Sequence, residues 1–342
     1  MPVPKRIFLH IGEPKCASSY LQECFRLNST DLLESGVCYP NADNGRLRIS
    51  SGNLGGIQSL PQLQEKIRKA TKNHSKSSLL LSSEFLFSLL TKNEHLAQLR
   101  VFAQSLGYEL HLICITRNVL EHSVSWYMQK MKNLEVLPSP ELSWFLHTSK
   151  ECLERRIEFS SIVQELRIPC TFLNVSQIKS IQDAVFEVLD VKINGIVQPP
   201  RINRALARNE FQLLSALRFL PSKDRLHLAN ELTMGTLGKE RLKISFTEEE
   251  INILGQECNP LISRYNAHMP VQAQISLITN NNSNKEGVSL DELNELFFDN
   301  NDISIIRDWF NSRFIRKPSP KNFILRLWHQ NLKTLKAFLK GN

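Results

Sequence analysis

Short apolar runs alternate with longer amphipathic stretches over the first two thirds of this chain. Residues 7–11, 78–82, 109–116 and 170–175 are compact blocks rich in Ile, Leu and Val, the pattern of strands buried in a sheet. Residues 36–39 read as a further short strand or turn. Between the blocks, apolar positions recur at helical spacing, which predicts helices from Ser18 onward and over 57–72, 86–104, 118–132 and 141–166. Strands alternating with long helices predict an α/β fold, a parallel sheet with helices on both faces. The stretch 41–56, rich in Gly, Asn and Ser, reads as a long loop of the kind that is usually functional or disordered.

Beyond residue 191 the pattern turns mainly helical, with helices expected at 210–220, 226–232 and 248–265. A polar break at 276–287, including Asn280, Asn281 and Asn282, reads as a linker. The expected organisation is an α/β domain over 1–275, a linker over 276–287 and a basic helical appendage over 288–342. No internal repeat is visible.

Length and composition place the chain among soluble globular proteins: 342 residues, 42% hydrophobic and 22% charged. No apolar run approaches the ~18–20 residues of a membrane span, and the first apolar run is too short for a signal peptide. Seven cysteines lie without metal-ligand or C-x-x-C spacing, which points to free thiols in a reducing, cytoplasmic setting. The net charge of +8 is localised. Residues 309–342 hold eight basic side chains and no acidic one, so the other 34 Lys and Arg balance the 34 Asp and Glu. No nucleic-acid partner is expected. Residues 321–340 place Ile324, Leu327, Trp328, Leu332, Leu335, Phe338 and Leu339 on roughly one helical face. Such a helix packs on the body or lies peripherally on an anionic inner-membrane face.

The densest chemistry follows the first strand. Gly12 and Pro14 break the chain, Lys15 follows, and Ser18 and Ser19 open a helix. A strand, a tight loop and a helix start present backbone N–H groups and a positive dipole end to an anion. Lys15 adds a full charge and the serines add hydroxyls. The order is not that of a nucleoside-triphosphate loop, in which Lys directly precedes Ser or Thr. Cys16 sits where a helix N-terminus and Lys15 would lower a thiol pKa, although a small residue in the loop is the ordinary account. Because ligands in open parallel sheets sit beyond the C-terminal strand ends, Lys15, Glu84 and Arg117, each just past a predicted strand, are expected along one edge.

Lys-x-small-Ser-Ser resembles the 5′-phosphosulfate loop of sulfotransferases that use 3′-phosphoadenosine 5′-phosphosulfate (PAPS). Cys16 and Ala17 stand where that family often has Thr and Gly, and Ala17 does not favour a positive φ. The segment from Thr116 to Tyr127 is similar to the family's 3′-phosphate segment, with Arg117 ending a strand and Ser125 eight residues on, Ser123 being a competitor. Glu84 matches the glutamate that glycan sulfotransferases place after a core strand. The resemblance implies a P-loop-type sheet, with Lys15, Cys16, Ala17, Ser18 and Ser19 on the 5′-phosphosulfate. It puts Arg117 and Ser125 on the 3′-phosphate, with Arg201 and Arg204 as looser late contacts, and Lys15 and Glu84 as catalytic groups.

The implied reaction is sulfonyl transfer from PAPS to a hydroxyl or amine of an acceptor such as a glycan, leaving 3′,5′-adenosine bisphosphate (PAP), with no metal required. His10 and His122 compete with Glu84 for the role of base. A sulfotransferase-fold protein that binds nucleotide without turnover, and a P-loop kinase, are the rival readings.

Overall fold

The computed structural model describes residues 4–40, 52–133, 141–193, 195–199, 207, 210–211, 242–280 and 287–294. Five strands form one parallel sheet: β1 (Arg6–Gly12), β2 (Val37–Cys38), β3 (Ser78–Ser83), β4 (Glu109–Thr116) and β5 (Cys170–Asn174). Their order is β2-β3-β1-β4-β5. The apolar runs therefore mark strands, and the α/β class follows. In register, Ile11 lies opposite Ser83 and Cys114, and Gly12 opposite Ile115. The three central strands thus end nearly level. The loop after Gly12, Glu84 and Arg117 all leave from that edge.

Alternation along the strands gives each sheet face its own core. Phe8, Leu80, Ile113, Ile115 and Leu173 pack under α1 (Ser18–Leu27) and, much later in the chain, a helix over Ile181–Val188. On the opposite face Phe172 meets Phe159, which also touches Phe87. Phe159 belongs to the long helix Leu142–Glu165, and Phe87 to Leu86–Leu90. In chain order the remaining helices are α2 (Ser29–Glu34), α3 (Leu60–Asn73), α4 (Leu86–Leu90), α5 (Asn93–Ser105), α6 (Val119–Asn133), α7 (Leu142–Glu165), α8 (Ile181–Val188), α9 (Glu248–Asn266) and α10 (Leu290–Asn294). The helix expected over 86–104 is two helices, since Lys92 adopts an extended conformation between α4 and α5. α3 starts three residues later than expected, with Pro61 in its first turn, where a missing N–H costs nothing.

β2 covers only the first two residues of β3, and a side chain completes that edge. Asn53 Nδ2 donates to the Leu80 carbonyl at 2.9 Å, Ser82 N donates to Asn53 Oδ1 at 2.8 Å, and Leu54 N donates to the Ser82 carbonyl at 3.3 Å. Asn53 thus imitates a neighbouring strand and satisfies an exposed edge. Gly52 makes this approach sterically feasible: its φ is +58°, and a Cβ there would sit 2.2 Å from the Ser82 oxygen.

The chain divides into two compact units, one of 1–127, 141–203 and 246–283 that holds the sheet, and one of 128–140, 204–245 and 284–342. In the first, α9 starts on a capping box of Thr247 and Glu250 and packs on α7. The chain after α9 returns to the sheet, where Asn174 Nδ2 donates to the Gln274 carbonyl at 2.7 Å. Ser276, the first residue of the expected linker, donates its N–H to Asn118 Oδ1 at 3.1 Å. In the second unit Ile244 bridges Val288, and Ser289 and Glu292 cap α10 reciprocally. Of the expected helix 210–220 only Glu210 and Phe211 are described, both helical. The expected helix 226–232, Arg201, Arg204 and the basic stretch 309–342 lie outside the described residues. Among the described residues no helix is long and apolar enough to cross a membrane.

Candidate functional site

β1 ends at Gly12 because the next strand-to-helix turn needs room. A Cβ on Gly12 would lie 1.7 Å from Ser18 Oγ, so the first residue of α1 folds back onto the strand end only over a glycine. Between them the backbone changes hand twice. Lys15 has φ 71° and Ala17 φ 63°, with Cys16 on the ordinary side. Alternation of this kind turns successive N–H groups toward one side, the geometry of an anion nest. Leu21 N makes the first intrahelical bond, to the Ala17 carbonyl at 3.0 Å. The amides of Ser18, Ser19 and Tyr20 therefore have no acceptor within the helix.

Ala17 adopts the positive φ that its Cβ disfavours, a cost of roughly 1–2 kcal/mol. Glycine removes that cost and adds about 0.4–1 kcal/mol of chain entropy to the unfolded state. Ala17→Gly is therefore expected to leave stability unchanged or raise it by about 1 kcal/mol, read as a small rise in Tm. A clear fall would contradict the strain.

Lys15 and Glu84 meet at the open side of the loop. Ser19 Oγ donates to Glu84 Oε1 at 3.2 Å. Burial pushes the Lys15 ammonium pKa down, opposed by the charge of Glu84. Burial pushes the Glu84 carboxyl up, opposed by Lys15 and by the Ser19 hydrogen bond. Each partner is thus drawn toward neutrality by the same desolvation and held back by the other. Arg117 approaches from the β4 side: Nη1 donates to the Lys15 carbonyl at 3.4 Å and Nε to Glu121 Oε2 at 3.1 Å. Lys15, Ser19, Glu84 and Arg117 are therefore gathered around one loop. Ser125 lies on α6, half-buried, two turns beyond the start of that helix.

Other candidates face inward. Ser18 is buried and its hydroxyl points to the Glu13 carbonyl at 3.5 Å. The Cys16 side chain is fully buried, and its pKa is pushed well up by burial and the nearby Glu13 carboxylate rather than down. Ser123 donates to the Leu120 carbonyl within its own helix. His10 Nδ1 pairs with Ser82 Oγ at 2.7 Å, and Gln22 Nε2 donates to the same oxygen at 3.1 Å. His122 Nε2 lies 2.9 Å from the Pro14 carbonyl. A carbonyl only accepts, so Nε2 carries the proton. Both rings support the loop from beneath, and among the described residues His10 Nε2 and His122 Nδ1 are buried without a hydrogen-bond partner.

Burial lowers the pKa of each of these histidines from 6.5 to about 4. A depressed folded-state value means stability that is full above the unfolded pKa and lost as pH falls toward the folded one. His10 and His122 should each withdraw roughly 3 kcal/mol between about pH 6.5 and pH 4. Urea midpoints are expected to fall steeply across that window, and more shallowly in His122→Gln. A flat profile would contradict neutral burial.

The residues that sequence reasoning missed lie under the loop. Glu13 is a carboxylate inside an anion cradle, and Arg156 of α7 neutralises it. Arg156 Nε lies 2.9 Å from both Glu13 oxygens, and Nη2 donates to Oε2 as well. Nη1 donates to the Arg117 carbonyl at 2.7 Å. Burial works to raise the Glu13 carboxyl, but the Arg156 charge and hydrogen bonds hold it below the usual carboxylate range. Both side chains are almost wholly buried, at 1% and 4% exposure. One guanidinium thus joins the end of β1 to the end of β4. A signal was present: Arg156 falls on the apolar stripe of Cys152, Leu153, Ile157 and Val163, and a charge on such a stripe needs a buried partner.

Glu13, Cys16 and His122 bring one ligand atom each within 4.8 Å of one another. These are metal-binding donor types, but Arg156 already covers both Glu13 oxygens, so a metal ion would have to displace a guanidinium there.

Asn118 organises the adjoining edge. It takes the Ser276 N–H on Oδ1, donates Nδ2 to Glu121 Oε1 at 3.2 Å, and its own N–H goes to Ser176 Oγ at 3.2 Å. It is a hub for three segments.

No family model matches the sequence, and no characterised protein matches it. The fold and the site thus define an α/β protein with a parallel five-stranded sheet and a lysine-bearing loop at the end of its central strand.

Proposed function

We propose that this chain is a PAPS-dependent sulfotransferase built on a P-loop-type sheet. The grouping of Lys15, Ser19 and Glu84 at the exit of β1, with the Arg117 guanidinium on the same loop, carries the reading. The loop amides, Lys15 and Ser19 would hold the 5′-phosphosulfate, and Arg117, with Ser125 further along α6, the 3′-phosphate. An arginine fork suits phosphate oxygens. In the transfer, the acceptor oxygen or nitrogen forms a bond to sulfur as the bond from sulfur to the bridging phosphate oxygen breaks. The acceptor proton passes to Glu84, whose raised pKa improves it as a base. Lys15 neutralises charge growing on the departing PAP. Catalysis is then mostly positioning and charge stabilisation.

Thermal denaturation with PAP is the first test. At a hundred times its Kd, PAP should add about 2.7 kcal/mol, a shift of several degrees in Tm. Turnover of PAPS against an acceptor panel is the second test. Stabilisation by ATP with Mg²⁺ but not by PAP would favour a kinase. Stabilisation by PAP with no turnover on any acceptor would favour a nucleotide-binding protein that lacks the transfer step.

A further inference from the structure

A cleft of about 580 Å³ lies beside this site and is not used by the loop. Its walls are residues 57–61 with the first turns of α3 on one side and α4 and α5 on the other. That size is ordinary for a small-molecule site. It starts at Phe85, the residue after Glu84. The two walls are tied together there, because Ser83 Oγ donates to the Gly55 carbonyl at 3.1 Å and accepts from Phe85 N at 3.2 Å.

The lining chemistry is selective. Phe85 is 48% exposed, and it is the one aromatic among the exposed large hydrophobic side chains of the described residues. Its ring offers an electron-rich face to polarised C–H groups. Gln58, Gln64 and Gln98 each offer a donor and an acceptor, the complement of hydroxyl groups. His95 Nδ1 lies 2.8 Å from the Leu89 carbonyl, so Nδ1 carries a proton and Nε2 is the ring nitrogen left for a ligand. Lys92 and Glu94 cancel in charge, so the cleft favours neither an anionic nor a cationic ligand. One aromatic face among amides, hydroxyls and balanced charge fits a neutral sugar ring better than a lipid or a polyanion.

We infer that this cleft binds a neutral saccharide and presents one of its hydroxyl groups to Glu84. The binding stands on the cleft alone, and the delivery rests on the sulfotransferase reading. The test is calorimetry and saturation-transfer NMR with N,N′-diacetylchitobiose, lactose and maltotriose, a heparin-derived disaccharide serving as the anionic probe. At least one neutral saccharide should bind, and Phe85→Ala or Gln98→Ala should weaken it about tenfold or more while the PAP-induced rise in Tm is kept. Preference for the heparin disaccharide, no binding of any neutral probe, or binding unchanged in both variants overturns the inference. Saccharide binding that depends on Phe85, without any response to PAP, upholds the cleft and overturns the sulfotransferase reading instead.

Discussion

Lys15→Ala is expected to lower PAPS-dependent sulfonyl transfer by about 10²–10³-fold, the usual loss when one group stabilising developing charge is removed. Its effect on folding should be small. The ammonium is partly desolvated at a cost to itself, and its main electrostatic partner, Glu84, is only half-buried. Glu84 loses the charge that holds its pKa down, so any remaining activity should show its acid limb displaced to higher pH. PAP should also stabilise this variant less than the parent. Equal turnover in the two proteins would remove Lys15 from the chemistry, and with it the sulfotransferase reading. Collapse of the fold would instead mark Lys15 as structural, which urea denaturation separates from a catalytic loss.

Arg156→Met is expected to cost about 3–5 kcal/mol of stability, the penalty for stranding a buried carboxylate. Glu13→Gln in the same chain should return much of it, because a neutral amide is less costly to bury than an unpaired charge. Arg156→Lys should not rescue, since one ammonium cannot reach both Glu13 oxygens and the Arg117 carbonyl together. Urea midpoints for the single and double variants give the coupling energy directly. The double variant is the informative one for function. If it folds but PAP no longer raises its Tm, Arg156 positions the loop as well as supporting it. A single variant as stable as the parent would show the ion pair to be dispensable.

The elements were legible in the sequence because their signals are local. The run over 109–116 and the helical spacing over 141–166 require no knowledge of distant residues, and the structure places β4 and α7 there within a residue or two. The edge shared by Lys15, Glu84 and Arg117 was legible for a related reason, since parallel strands of similar length must end together. Side-chain direction was not legible. Ser18 and Ser19 are adjacent and chemically identical, yet one folds against Gly12 and the other reaches Glu84. A helix start rotates successive residues by about a quarter turn, and only the packed neighbours fix which of them faces the open side.

By itself the sequence determined an α/β chain with a basic, hydroxyl-bearing loop after its first strand, since patterning and turn chemistry act over a few residues. The tertiary structure alone decided that Glu13 is neutralised by a residue 143 positions away, and that His122 is buried beneath the loop. It also decided that an exposed phenylalanine opens a cleft beside Glu84. The physical reason is common to all three. Charge pairing and burial depend on distance in space, and a parallel sheet joins by crossovers strands that lie far apart in the chain.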